Sequence, residues 1–234
     1  MDLSIVIPAY NEAARLGPTL ERILGYLAGQ EIIAEILVVD DGSADATAAV
    51  AESFAGRGVV VKRQDRNRGK GAALRAGVLA SRGVAVLLVD ADLSTPIEDL
   101  ERLRPYLARA EVVLGSRAVA GANVTQHQPI YRELMGRIFN LLIRLLGVRG
   151  FRDTQCGFKL LQGEAARLLF ADLLVDRFAY DAEMVWLACR RGYRVVEVGV
   201  TWANSPHSSV HPIRDSSRMI WDVALMRLRH RGRR

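Results

Sequence analysis

The 234-residue sequence predicts an α/β protein built on an open, mostly parallel sheet with helices on both faces. Three observations carry the prediction. Short runs of Leu, Ile and Val alternate with stretches of helical periodicity along the first half. The runs are almost continuously apolar, as strands buried on both faces are. They end in acidic and glycine-containing turns, where open α/β sheets collect their ligands.

The elements follow in order. Residues 3–8 read as a buried strand stopped by Pro8, with Ala9-Tyr10-Asn11-Glu12 as the loop after it. Residues 14–28 form an amphipathic helix with Leu16, Leu20, Ile23, Leu24 and Leu27 on one face. Residues 36–39 make a second strand, which runs into Asp40-Asp41-Gly42-Ser43 and an alanine-rich helix at about 44–54. A strand at 59–62, a helix at 70–81, the central strand 84–89, a helix at about 97–108 and a strand at 112–114 continue the alternation. The second half adds helices at 131–147, 180–192 and about 216–229 and a strand at 194–200.

The central strand ends in Asp90-Ala91-Asp92. In an extended chain residues i and i+2 share a face, so the two carboxylates are expected to point the same way. Such a pair suits a hard cation, Mg²⁺ or Mn²⁺, of the kind that arrives with a substrate diphosphate. Lys70, one of only three lysines, lies between Gly69 and Gly71 at a helix start, where it can meet a phosphate or base oxygen. The same stretch is no P-loop, because the earlier glycine and the following Ser/Thr are absent. A dinucleotide fingerprint is also missing after the first strand.

Charge is unevenly spread. Residues 1–117 carry a net −2 and residues 118–234 a net +8, so the second half is expected to face something anionic. The 131–147 helix is apolar apart from a narrow stripe of Glu133, Arg137, Asn140 and Arg144, which suits a core or a membrane interface equally. A basic run, Arg227 to Arg234, closes the chain. Helix-turn-helix, zinc-finger and aromatic stacking signatures are absent, so nucleic acid is not the expected partner. Cys156 and Cys189 match no metal or redox spacing and read as free thiols. The histidines lack ligand spacing and read as loop residues, with His211 a phosphate-contact candidate. Met1-Asp2-Leu3-Ser4 does not begin a secretory signal, and no apolar run is long enough to span a bilayer. A single domain over 1–234 is expected, with a ligand-binding half at 1–117.

Pro8–Glu12, Val39–Ser43, Gly69-Lys70-Gly71 and Asp90-Ala91-Asp92 together resemble family 2 glycosyltransferases of the GT-A fold. Gly115-Ser116-Arg117, Arg152–Lys159, Arg177–Glu183 and Arg214-Asp215-Ser216 look like the dolichyl-phosphate β-glucosyltransferase branch, near the dolichyl-phosphate mannosyltransferases. The resemblance implies a nucleotide-sugar donor, a divalent metal and a polyprenyl-phosphate acceptor at a membrane surface. It implies that Pro8, Tyr10, Glu12 and Asp40 hold the nucleoside and that Gly69 and Lys70 close over the base. Asp90 would sit near ribose or metal, Asp92 would bind metal directly, and Asp181 would act as a base or orient the acceptor.

Guanidinium matches phosphate geometry, which makes Arg117, Arg132 and Arg214 the candidates for the acceptor phosphate. Two departures stand out. Ser94 occupies a place where the mannosyltransferases often carry Gln, and Pro206–His211 replaces the Gly-Ser-Lys typical of the glucosyltransferase late loop. UDP-glucose is the donor that the branch resemblance favours, with GDP-mannose as the alternative. The expected location is peripheral, on the cytoplasmic face of a membrane. A nucleotidyltransferase and a non-enzymatic nucleotide- or nucleic-acid-binding module are the competing classes.

Overall fold

A computed structural model of the protein describes residues 1–126, 150–204 and 212–231. Its first half runs β1 (Leu3–Ala9), α1 (Ala13–Ala28), β2 (Ala34–Asp40), α2 (Thr47–Glu52), β3 (Val59–Arg63), α3 (Lys70–Ala80) and β4 (Ala85–Leu88). It continues through α4 (Leu100–Leu103), β5 (Val112–Ser116), β6 (Asn123–Gln126), β7 (Lys159–Gln162) and α5 (Gly163–Asp172). The chain then forms α6 (Tyr180–Arg190), β8 (Val195–Gly199), β9 (Thr201–Ala203) and α7 (Pro212–Arg229). The expected 131–147 helix, with Arg132, and the late loop at 206–211 lie outside the described residues.

Seven strands form one sheet in the order β3-β2-β1-β4-β7-β5-β8, and β6 pairs with β9 in a separate ribbon. Neighbouring pairs in the main sheet are parallel except at β7, which is antiparallel to both β4 and β5. The period-2 alternation of strand side chains divides the core into two layers. Val6, Leu37, Val86, Leu88, Val112, Leu114 and Leu161 face α3, α5, α6 and α7. Ile5, Ile7, Ile36, Val38, Leu87, Val113 and Leu160 face α1, α2 and α4. Every one of these strand residues is at most 2% exposed, which explains why the runs look continuously apolar.

Three expectations change. The 97–108 helix is only one α turn, flanked by 3₁₀ turns at Ile97–Asp99 and Arg104–Ala108, because Pro105 lacks the N–H that an α ladder needs. The 44–54 helix shortens to α2. Residues 159–172, for which the sequence analysis proposes no element, supply β7 and α5.

From β1 the chain steps outward to β2 and β3, then returns to place β4 on the other side of β1. That reversal is the topological switch point, where the loops after β1 and β4 diverge and leave a crevice. Among the described residues only two non-glycine residues have positive φ: Asn11 (54°) and Leu93 (47°). They lie in the loops after β1 and β4, so the backbone strain is concentrated on the two sides of the crevice.

Candidate active site

The loops after β1 and β2 are laced together. Asn11 N–H donates to Ser43 Oγ (2.9 Å), Ala44 N–H to Asn11 Oδ1 (2.9 Å) and Glu12 N–H to Thr47 Oγ1 (2.7 Å). Tyr10 remains exposed between them. Asp40 is buried at the end of β2 and accepts Ser43 N–H. Asp41 accepts the N–H groups of Arg68 and Gly69, both at 2.8 Å. These bonds fix the turn in which Gly69 adopts φ +111°, a value open to glycine and strained for other residues.

Asp90 and Asp92 do not share one strand face as expected. β4 stops at Leu88, and residues 90–93 turn, with Leu93 N–H donating to Asp90 O. The two carboxylates therefore take different partners. Asp90 Oδ1 meets Lys70 Nζ at 2.5 Å, across the switch point. Asp92 accepts Ser94 N–H at 3.0 Å and lies 3.6 Å from Arg15 Nη1, while Arg15 also forks onto Glu12 at 2.5 and 2.6 Å.

The 153–159 segment closes the site from the second half. Gly157 leaves the space that the Asp90 carboxylate occupies, since a Cβ there would stand 2.1 Å from Asp90 Oδ2 and displace it. Arg117 forms a bidentate pair with Asp153 (2.7 and 2.9 Å), adds its backbone N–H, and lays its guanidinium over Trp202. Lys159 is fully buried, bonded to Asp181 and to the Cys156 carbonyl. The Tyr180 ring lies beside both Lys70 and Lys159, at 6.0 and 5.7 Å from its centroid.

This cluster sets the charge states. Burial works against an ionised Asp90, but Lys70, Lys159 and Arg117 outweigh it and hold the carboxyl below its ordinary range. Burial likewise works against a charged Lys70, and Asp90 and Asp181 overcome it. Asp181 goes the other way, with burial pushing its carboxyl up against the pull of Lys159 and Lys70.

For Asp153 burial is outweighed by Arg117, which lowers the carboxyl from 3.8 to about 2. A folded-state pKa depressed in this way stabilises the protein above the unfolded value and is lost as pH falls through the folded one. Between about pH 4 and pH 2 the wild type should therefore lose on the order of 2 kcal/mol through this group. Asp153→Asn should flatten that part of the acid-unfolding curve. An identical acid limb in both proteins would contradict the assignment.

Of the residues expected from sequence, Pro8, Tyr10, Glu12, Asp40, Gly69, Lys70, Asp90 and Asp92 lie at the carboxyl ends of the strands or on the turns that follow them. Arg117, just past β5, and Asp181, in the first turn of α6, join them through Asp153, Lys159 and Tyr180. Arg214 falls in the first turn of α7. Sequence reasoning missed Asp41, Arg15, Asp153 and Lys159 as parts of the site. Lys159 carried a signal, as one of three lysines and next to an apolar pair.

The sequence model described as glycosyl transferase family 2 matches residues 4–169. The chain belongs to this family. A dolichyl-phosphate beta-glucosyltransferase of Mus musculus is 36% identical over 244 residues, covering 97% of this chain and 75% of the mouse protein. One of Trichomonas vaginalis is 40% identical over 213 residues, covering 85% of this chain and 63%, under two thirds, of its own length. Mannosyl-3-phosphoglycerate synthase from Rubrobacter xylanophilus superposes with a TM-score of 0.71 at 24% identity, covering 100% of this chain and 76% of that one. Glucosyl-3-phosphoglycerate synthase from Mycobacterium tuberculosis, solved with Mn²⁺, UDP-glucose and phosphoglyceric acid, superposes at 0.67 and 18% identity, covering 99% and 80%.

This glycosyltransferase therefore has the GT-A-like fold expected from its sequence, with one antiparallel strand in the sheet. Among the described residues no three His, Cys, Asp or Glu side chains are grouped to hold a metal by themselves. The donor set still fits a divalent cation that travels with its substrate. Mg²⁺ commonly takes one or two carboxylates and fills its remaining positions with phosphate oxygens and water. Asp92 Oδ2, 3.6 Å from Arg15 Nη1, is the carboxylate oxygen that would hold such an ion.

Proposed function

We propose that the protein transfers a hexose, preferably glucose from UDP-glucose, to a polyprenyl phosphate of the dolichyl type, with inversion at the anomeric carbon. The observation that carries this reading is the pairing of Lys70 with Asp90 across the switch point, beside Asp92. It places a cation and two acids where a nucleoside diphosphate enters an open α/β sheet. The named relatives support the glucosyl and dolichyl-phosphate parts, and the Mn²⁺-bound neighbour supports Mg²⁺ or Mn²⁺ as the metal. Bound at Asp92, with Asp90 beside it, the ion would offset the charge developing on the departing diphosphate.

The chain's own residues account for the rest. Glu12, Asp40 and the Gly69 turn border the nucleoside pocket, and Lys70 keeps Asp90 ionised and oriented. An acceptor phosphate oxygen attacks the anomeric carbon as the bond to the diphosphate oxygen breaks, and the nucleoside diphosphate leaves with the electron pair. A phosphomonoester has a second pKa of about 6, so the attacking oxygen carries no proton that a base must remove at neutral pH. With no base required, Asp181 can be buried and tied to Lys159. Arg117, already aligned by Asp153, is the described cation that would orient the acceptor, with Arg132 and Arg214 assigned the same task.

The lipid acceptor calls for peripheral attachment at a membrane, on its cytoplasmic face. Among the described residues no helix is long and apolar enough to cross one. The outer side of α7 exposes Ile220, Trp221 and Leu228 beside Arg218 and Arg229, the mixture that suits an anionic lipid surface. Replacing Trp221 and Leu228 together with serine should lower binding to anionic liposomes about tenfold. Unchanged co-sedimentation would rule out this face.

The direct test is thermal stabilisation by UDP, GDP and their sugars, with and without Mn²⁺ or Mg²⁺. A metal-dependent shift with UDP, followed by glucose transfer to polyprenyl phosphate, is the expected result. A GDP preference would move the donor to GDP-mannose, and no shift with any nucleotide would overturn the reading.

A further inference from the structure

His230, just beyond α7, is expected from sequence, with the other histidines, to be a loop residue, and it is buried. His230 is 2% exposed, lies beside the Trp186 ring (5.3 Å between centroids), and meets Glu183 Oε1 through Nε2 at 2.7 Å. Glu183, in the first turn of α6, is completely buried. Its carboxylate also accepts the N–H groups of Leu174 (3.0 and 3.1 Å to its two oxygens) and Val175 (2.8 Å). A buried carboxylate is costly unless its acceptor positions are filled, and here two backbone donors and one imidazole fill them.

The segment held in this way, residues 173–177, lies directly against the Gly69-Lys70-Gly71 turn. Ala72 is the third residue of α3, so its N–H has no partner within the helix. It donates instead to the Asp176 carbonyl at 2.9 Å. Arg75 grips the same segment through the Leu173 carbonyl (2.8 Å) and Asp176 Oδ1 (2.5 Å). Contact is close enough that a Cβ on Gly69 would stand 2.6 Å from Asp176 O, and one on Gly71 2.5 Å from Val175 O. The two glycines therefore serve to let the turn seat on this strap.

We infer that Glu183, held by His230, is a positioning residue for the donor site. It fixes the backbone of the 173–177 strap, and the strap fixes the turn that carries Lys70. The inference rests on the proposed nucleotide-sugar reading of that turn. It assigns to the acid two places after Asp181 a role remote from the reacting atoms. It also joins the end of the C-terminal helix to the nucleotide pocket through one continuous set of hydrogen bonds.

Amide hydrogen exchange and UDP titration on the full chain test this, comparing wild type with His230→Ala and His230→Gln. Loss of a hydrogen bond to a buried charge should raise exchange at Leu174, Val175 and Ala72 about tenfold or more in His230→Ala. Exchange in β1 and β2 should stay unchanged, and UDP affinity should fall about tenfold. Glutamine keeps an N–H donor and should restore most of both. Unchanged exchange at Ala72, or a uniform rise over the whole chain, would overturn the coupling. A selective rise with unaltered UDP affinity would overturn the positioning role. A wild type that binds neither UDP nor GDP would sink the nucleotide reading itself, and with it this role, while the exchange pattern still decides whether His230 governs the turn.

Discussion

Replacing Asp92 with alanine is expected to lower sugar transfer by about a thousandfold or more, with the melting temperature nearly unchanged. The two halves of that expectation have separate causes. Asp92 contributes little to the fold. It sits beyond β4, on the turn, and its interactions are one backbone N–H from Ser94 and a 3.6 Å approach to Arg15. In the proposed reaction its Oδ2 anchors the ion that offsets charge on the leaving diphosphate, and the neighbouring acids are engaged elsewhere. Asp90 is held by Lys70 and Glu12 by Arg15. Turnover of Asp92→Ala within tenfold of wild type at saturating Mg²⁺ would remove the metal from this position.

Lys159→Met should produce the largest loss of stability. Methionine preserves most of the side-chain volume but leaves Asp181 buried without its cation. Breaking a buried pair of this kind costs about 3–5 kcal/mol, and for a chain of this size that corresponds to a melting temperature lower by about 10 °C. The double variant Lys159→Met, Asp181→Leu should recover most of the loss, since it removes both charges together. Calorimetry of the two variants distinguishes the cases. A single variant within about 1 kcal/mol of wild type would mean that Asp181 is not held as an ion by Lys159.

The first half of the fold is legible because its information is local. Each of β1 and β2 is an apolar run with one buried polar residue, Ser4 or Glu35, ending at turn-forming or acidic residues, and the alternation with α1 and α3 leaves few arrangements. β7 is not legible in this way. It begins with Lys159, a charge that a local reading keeps out of a buried strand, and the group that permits its burial is Asp181, on a different element. His230 was hidden likewise, since a run of arginines gives no hint of a buried acid at position 183. The same division holds in the site. The acids at strand ends are visible in the sequence, whereas their pairing with Lys70, Arg15, Arg117 and Lys159 joins residues brought together only by the completed sheet. Arg117 illustrates the result: a guanidinium expected to await a phosphate already has Asp153 across its fork.

The antiparallel strand β7 also constrains the order in which the protein can mature. β4 pairs with β1 on one side and with residues 159–162 on the other. During synthesis the apolar stretch Ala85–Leu88 therefore emerges long before its second neighbour exists, and until then it presents an open hydrophobic edge. Closing it requires contacts between positions more than seventy residues apart, as in the Ala85–Gln162 pairing, the kind of non-local step that slows folding. A nascent chain released before residue 162 would carry the acids at the ends of β2 and β4 but expose a sticky β edge, making such fragments candidates for aggregation or chaperone capture. The two halves of the sequence are thus not independent folding units, because the second supplies the strand that completes the sheet of the first.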